Sequence, residues 1–199
     1  MAVHPASPRS NVVAGAEVVV LSFTDDGAFP NNPRLPVLHY RGAFQFGKAG
    51  DPATVVERVF GMHRWSRPWH DGIYTYHHYH STAHEALGCV GGHARLQVGG
   101  PGGIDVEFQR GDVLVLPAGV AHKNVEASDD LFVVGSYAGG RSYDMQYGHA
   151  DERPAAQERI DRVPLPESDP VYGKDGPLIR HWRHGDGQDP LETMTRRRK

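Results

Sequence analysis

Between residues 72 and 137 the chain is a succession of short strand-like runs cut by glycine or proline, and this pattern restricts the fold more than any other feature. The runs cover residues 73–80, 86–90, 94–98, 104–109, 113–116 and 131–137, and they are rich in β-branched, aromatic and aliphatic side chains. Gly91-Gly92 and Gly99-Gly100-Pro101-Gly102-Gly103 fall between them as turn punctuation. The second cluster lacks the Lys-Ser/Thr of a phosphate-binding loop and no helix follows it, so it reads as a hairpin turn. Many short strands joined by regular turns exclude a doubly wound parallel sheet and give a mainly β chain, a sandwich or a barrel.

The flanks add little to this core. A first strand is expected over residues 16–23, around Val18-Val19-Val20-Leu21, and a short apolar run covers 36–40. Asp51-Pro52 opens a helix, because the aspartate can accept from free N–H groups and proline suits the first helical position. Val55, Val56, Val59 and Phe60 share one face of that helix, which should pack on the outside of a sheet. Beyond Gly140 the chain turns polar and proline-rich, with one short helix expected over 153–162 and an extended path imposed by Val163-Pro164-Leu165-Pro166 and Asp169-Pro170. Residues 1–199 read as one domain: N-terminal strands and helix over 1–70, a motif-bearing core over 71–140, and a C-terminal extension over 141–199 that wraps the barrel or contacts a second subunit.

Composition excludes several function classes. A formal net charge of −3 gives no field for general nucleic-acid binding, and the one basic cluster, Arg196-Arg197-Arg198-Lys199, reads as a solvated tail. No apolar run is long enough to span a bilayer, and residues 1–9 lack the apolar stretch of a secretion signal. A single cysteine, Cys89, permits no internal disulfide, and a cytoplasmic location is expected.

Thirteen histidines are present, seven of them between His63 and His93, and at that density only spacing is informative. Side chains two apart in a strand share a face, so His78 and His80 present two imidazoles to one side. Glu85 follows, and His122 comes just after a turn–strand–turn stretch, Gly111 to Gly119, that would return the chain to the same interior. Gly72, five residues, His78-x-His80, four residues, Glu85, six residues and Gly92 match the first motif of the cupin superfamily at every anchor, and here the chain resembles that superfamily. Gly111, five residues, Pro117-x-Gly119, two residues and His122 match most of the second motif; its closing asparagine is replaced by Glu126, with Asn124 two residues earlier. The chain also resembles uncharacterised bacterial single-domain cupins with a His-His-Tyr-His-Ser run, here His77 to Ser81, and a Tyr-Gly-Lys-Asp-Gly-Pro segment, here Tyr172 to Pro177.

The resemblance implies a single cupin-type jelly-roll β-barrel holding one divalent transition metal on His78, His80, Glu85 and His122. Imidazole with carboxylate suits Fe(II), Mn, Ni, Cu or Zn, with Fe(II) favoured. Parity complicates the fourth ligand: an unbroken strand through His78 and His80 would bring His84 to the metal face, and Glu85 joins only if the chain bends at Ser81-Thr82-Ala83, as small and polar residues there favour. His77 should point outward. Tyr74 and Tyr76 share parity with the histidines and either line the pocket or pack in the core; Cys89 and Asn124 are further pocket or supporting candidates. Trp65, Trp69 and Trp182 read as packing residues and Asp112 as a turn residue. Four protein ligands on a metal that accepts six leave room for a substrate. The readings carried forward are a metal-dependent oxidoreductase of dioxygenase type acting on a small organic molecule, a non-redox isomerase, epimerase or lyase, and a non-catalytic small-molecule binder. A homodimer is also expected.

Overall fold

The computed structural model describes residues 13–47 and 50–183; residues 1–9 and the basic run at 196–199 lie outside the described residues. Nine strands are described: β1 (Glu17–Leu21), β2 (Val37–Arg41), β3 (Trp65–Asp71), β4 (Glu85–Gly91), β5 (His93–Val98), β6 (Ile104–Gln109), β7 (Val113–Leu116), β8 (His122–Ala127) and β9 (Phe132–Ala138). They form a six-stranded antiparallel sheet in the order β1-β2-β7-β4-β9-β3 and a three-stranded antiparallel sheet in the order β6-β5-β8. The mainly β expectation holds, with two facing sheets enclosing one of the cores. Three short helices accompany them: α1 (Pro52–Met62), α2 (Arg153–Asp161) and α3 (Pro177–Arg183).

Burial explains why the two sheets differ in sequence character. The six-stranded sheet is covered on both faces, so β4 and β7 are buried almost throughout and read as continuous apolar runs. Its outer face (Leu38, Tyr40, Ala86, Val90, Val113, Val115 and Val134) packs against Val56, Val59 and Phe60 of α1 and against Leu178 and Trp182 of α3. Its inner face, through Leu87, Cys89, Leu114, Leu116 and Val133, meets Ala94, Leu96, Val98, Val106 and Phe108 of the small sheet. The small sheet has a wet outer face, and β5 and β6 alternate accordingly. On that face Arg95 pairs with Asp105 at 2.9 Å and with Glu126 at 3.2 Å, so the glutamate replacing the motif asparagine is a surface residue.

Helix α1 forms as expected. Asp51 is its N-cap, accepting from the Thr54 backbone N–H at 2.9 Å, and Pro52 opens the helix. Gly88 permits its close approach, since a Cβ there would sit 2.7 Å from Val56 Cγ1.

Three expectations need correction. Residues 73–80 are not a continuous strand: only His78 and Tyr79 form isolated bridges, to His122 and Gln146. Strand β3 was read only as tryptophan packing, because Arg67 and Pro68 break its alternation; a bulge between Ser66 and Trp69, with Arg67 at φ 58°, accommodates them. Asp112 is more than a turn residue. It is buried, accepts from the Gly42 and Gln109 backbone N–H groups at 2.8 and 3.2 Å, and lies 3.1 Å from the buried His39 ring, fixing the β6–β7 turn to β2.

The Tyr172 to Pro177 segment is structural. Asp169 accepts from the Val171, Tyr172 and Leu178 N–H groups at 2.8, 2.9 and 3.0 Å and from the Tyr40 hydroxyl at 2.6 Å. Tyr172 donates to the Ala14 carbonyl and accepts from the Ala16 N–H, so the C-terminal segment fastens the start of the described chain.

Candidate metal centre

His78 and His122 come together as a narrow antiparallel pair, each backbone N–H donating to the other's carbonyl at 3.2 and 3.0 Å. Their rings lie 4.2 Å apart. His80 points the same way two residues on, while Tyr79 between them turns into a separate apolar cluster with Phe29, Ala118, Ala121 and Ile160. All three imidazoles are buried, and one nitrogen from each falls within 4.8 Å of the others.

The second nitrogen of each ring is already engaged. Nδ1 of His78 bonds the Tyr76 carbonyl at 3.2 Å, that of His80 the Asp144 carbonyl at 2.5 Å, and that of His122 the Val120 carbonyl at 3.3 Å. A carbonyl only accepts, so in each neutral ring Nδ1 carries the hydrogen and Nε2 keeps its lone pair.

The chain bends at Ser81-Thr82, and β4 begins at Glu85. The carboxylate of Asp144 makes this bend, accepting from the Ser81 N–H at 2.6 Å, the Thr82 N–H at 3.2 Å and the Ser81 hydroxyl. The bend reverses the parity, so Glu85 faces inward with Leu87 and Cys89 while His84 faces outward. Glu85 Oε2 lies 3.4 Å from Nε2 of His80 and 3.5 Å from Nε2 of His122, but has no hydrogen-bond partner among the described residues. Its other oxygen accepts from the Trp69 indole N–H at 3.3 Å. An orphaned, buried carboxylate oxygen beside imidazole lone pairs is the donor set a divalent transition metal requires, and the residues fit one.

Electrostatics agree. Burial would raise the Glu85 carboxyl, but the neighbouring His80 and His122 rings hold it below the usual range. Burial pushes His122 down to about 3 and also lowers His78. His80 is buried too, yet the Glu85 carboxylate outweighs that cost and raises it. Burial thus holds the His122 ring neutral.

Among the other candidates, Tyr74 and Tyr76 are 52% and 44% exposed and stand at the mouth of a 490 Å³ cavity that ends at the histidines, so they are not core aromatics. His84 is a packing residue: its Nδ1 accepts from the Ala118 N–H at 2.9 Å and its ring lies 4.8 Å from that of Trp182. Cys89 is buried between the sheets, its thiol donating to the Gly91 carbonyl at 3.2 Å, and does not line the cavity. Asn124 does not line it either. His77 bonds Gln97 at 3.1 Å, away from the trio. Trp69, like Tyr137, Tyr143 and Asp144, is a site residue that sequence reasoning missed. The bulge in β3 turns it inward although Trp65, of equal parity, faces outward, and Gly135 makes room for its indole. Tyr137, opposite Glu85 in β9, accepts from the same indole at 3.1 Å. Tyr143, from the stretch after Gly140, covers the His80 ring at 4.9 Å. Register with Glu85 singles out Tyr137, but no local sequence signal marks Tyr143.

Comparison with known proteins agrees with this geometry. The family model described as Cupin matches residues 72–138, which enclose all four inward-facing candidates. The chain is 40% identical over 160 residues to "Uncharacterized protein YjlB" of Bacillus subtilis, covering 80% of this chain and 93% of that one. Among solved structures it is similar to the epimerase RmlC of Legionella pneumophila, with 13% identity, 76% of this chain and 86% of that one covered, and a TM-score of 0.38. It is also similar to vicilin of Solanum lycopersicum, with 22% identity over 40% of this chain and 23% of that one, and a TM-score of 0.34. The chain spans less than a quarter of that vicilin, and neither structural likeness bears on activity. With both motifs assembled around one donor cluster and a relative aligned over most of its length, the chain belongs to the cupin family.

Proposed function

We propose that this cupin is a metal-dependent oxidoreductase of dioxygenase type that acts on a small organic molecule, with Fe(II) as the favoured metal. The observation that carries the reading is the set of three imidazoles, each tied through Nδ1 to a backbone carbonyl, beside a buried carboxylate oxygen without a hydrogen-bond partner among the described residues. His78, His80 and His122 would hold the metal through Nε2 and Glu85 through its carboxylate, and the metal would supply coordination positions for dioxygen and substrate.

The protein's own groups have separate tasks. Trp69 orients Glu85 through its indole N–H, and Asp144 fixes both the His80 ring and the bend before Glu85. Ile73 and Leu87 line the cavity with apolar surface and keep water from its inner end. In a non-redox isomerase or lyase the metal would act as a Lewis acid while Glu85 or a nearby histidine moved a proton. Among the described lining residues, His70 is exposed and pairs with Glu57 at 3.2 Å, and Asp71 is exposed and accepts from the Gly72 N–H at 2.7 Å.

Anaerobic reconstitution with Fe(II), followed by oxygen-uptake measurements across aromatics, thiols and diketones, tests the proposal. Saturable Fe(II)-dependent uptake that disappears in His80→Ala is expected. Turnover supported by Zn(II) without oxygen, or no uptake with any class, would sink it.

A further inference from the structure

The cavity in front of the histidines has an unusual lining. Among the described residues that line it, two pairs of tyrosines bring aromatic faces. Tyr74 and Tyr76 are stacked, with ring centroids 4.9 Å apart and planes 21° from parallel, and both rings meet His78 edge-on. Tyr137 and Tyr143 are stacked at 4.6 Å and 20°, and both meet the His80 ring. Each of these two histidines is thus flanked by its own stacked pair, and both pairs open on the same 490 Å³ of space.

Exposure of these rings has a consequence. Tyr74, Tyr76 and Tyr143 are each about half exposed, so much of their aromatic surface is in water until something flat covers it. A saturated ring of equal size would fill the volume but forgo the contact between π faces. We propose that the cavity selects a planar aromatic molecule of one or two fused rings, with Tyr76 and Tyr143 as the specificity-determining faces. The volume suits this size. The inference deepens the metal-enzyme reading and rests on it only for which end of the molecule reacts.

The test is calorimetric titration of the full-length, Zn(II)-loaded protein with 2-naphthol and decahydro-2-naphthol. 2-Naphthol should bind at least about tenfold more tightly than the saturated alcohol. Tyr76→Ala and Tyr143→Ala should each weaken 2-naphthol by about three- to tenfold, whereas Tyr76→Phe, which keeps the face, should bind as the parent does. Equal binding of the saturated ring, wild-type affinity in both alanine variants, or no binding of 2-naphthol overturns the proposal. Metal content measured on the same samples separates the two readings. Selective 2-naphthol binding by protein that retains no metal removes the metal enzyme and leaves the aromatic selectivity; full metal content without ring preference does the reverse.

Discussion

At the residue scale, the centre depends on which of two adjacent side chains faces inward. Glu85→Gln keeps the shape of the side chain but removes the charge that would neutralise a bound cation. Metal affinity measured by chelator competition should fall by at least about tenfold, with the fold intact by circular dichroism. His84→Ala should behave in the opposite way: metal content unchanged, but stability lower by about 2–4 kcal/mol in urea unfolding, because the buried Ala118 N–H loses its acceptor and a void opens beside Trp182. If His84→Ala loses metal while Glu85→Gln keeps it, the assignment of the two residues is reversed. Cys89 gives a pH-dependent readout. Burial pushes its thiol up to about 12, so the folded protein holds the proton where an unfolded chain ionises near 9. A disulfide reagent should therefore stay nearly unreactive with native protein from about pH 7 to about pH 9 and react at once in denaturant. The same imbalance makes the folded state lose stability as pH rises from near 9 toward 12, since only the unfolded thiol releases its proton in that window.

At the scale of elements, two glycines set how closely neighbours pack. Gly135 leaves room on β9 for the Trp69 indole, and a Cβ there would fall within 2.0 Å of the ring. Gly135→Ala should move the indole away from Glu85 and Tyr137, shift tryptophan fluorescence and reduce metal affinity by about tenfold or more without changing any ligand. Gly88→Ala tests a different contact. Its Cβ would strike Val56 of α1, so it should lower stability by about 1–3 kcal/mol and leave metal binding alone. Unchanged metal affinity in Gly135→Ala would mean that Trp69 does not orient Glu85.

At the scale of the molecule, the centre joins elements distant in sequence. Glu85 belongs to the large sheet, His122 to the small one, and His78 and His80 to the irregular segment before β4. A bound metal would tie these parts together, so it should stabilise the folded state by about 3 kcal/mol at a hundredfold excess over its dissociation constant. Thermal unfolding with and without chelator checks this, and the difference should vanish in a variant lacking His80 and His122.

Much of this was readable in the sequence because it is periodic or chemically local. Alternation placed His78 and His80 on one face, Asp51-Pro52 marked α1, and glycines and prolines marked the hairpins. The small and polar run at Ser81 to Ala83 pointed to the bend that turns Glu85 inward. What could not be read there depends on register and on contacts across long loops. The bulge that separates Trp69 from Trp65 appears only when β3 pairs with β9. Tyr137 meets Glu85 because β4 and β9 align in one register among several that composition would allow. Asp144 and Tyr143 reach His80 from some 60 residues away, and Asp169 joins Tyr40 of β2 to the segment that leads into α3. Sequence by itself determined the donor types, their spacing and the β architecture, since side-chain chemistry and strand period are properties of neighbours. Only the tertiary structure decided which carboxylate or imidazole joins the trio, what orients it and what lines the cavity, because those depend on how separate strands pack once their apolar faces are buried together.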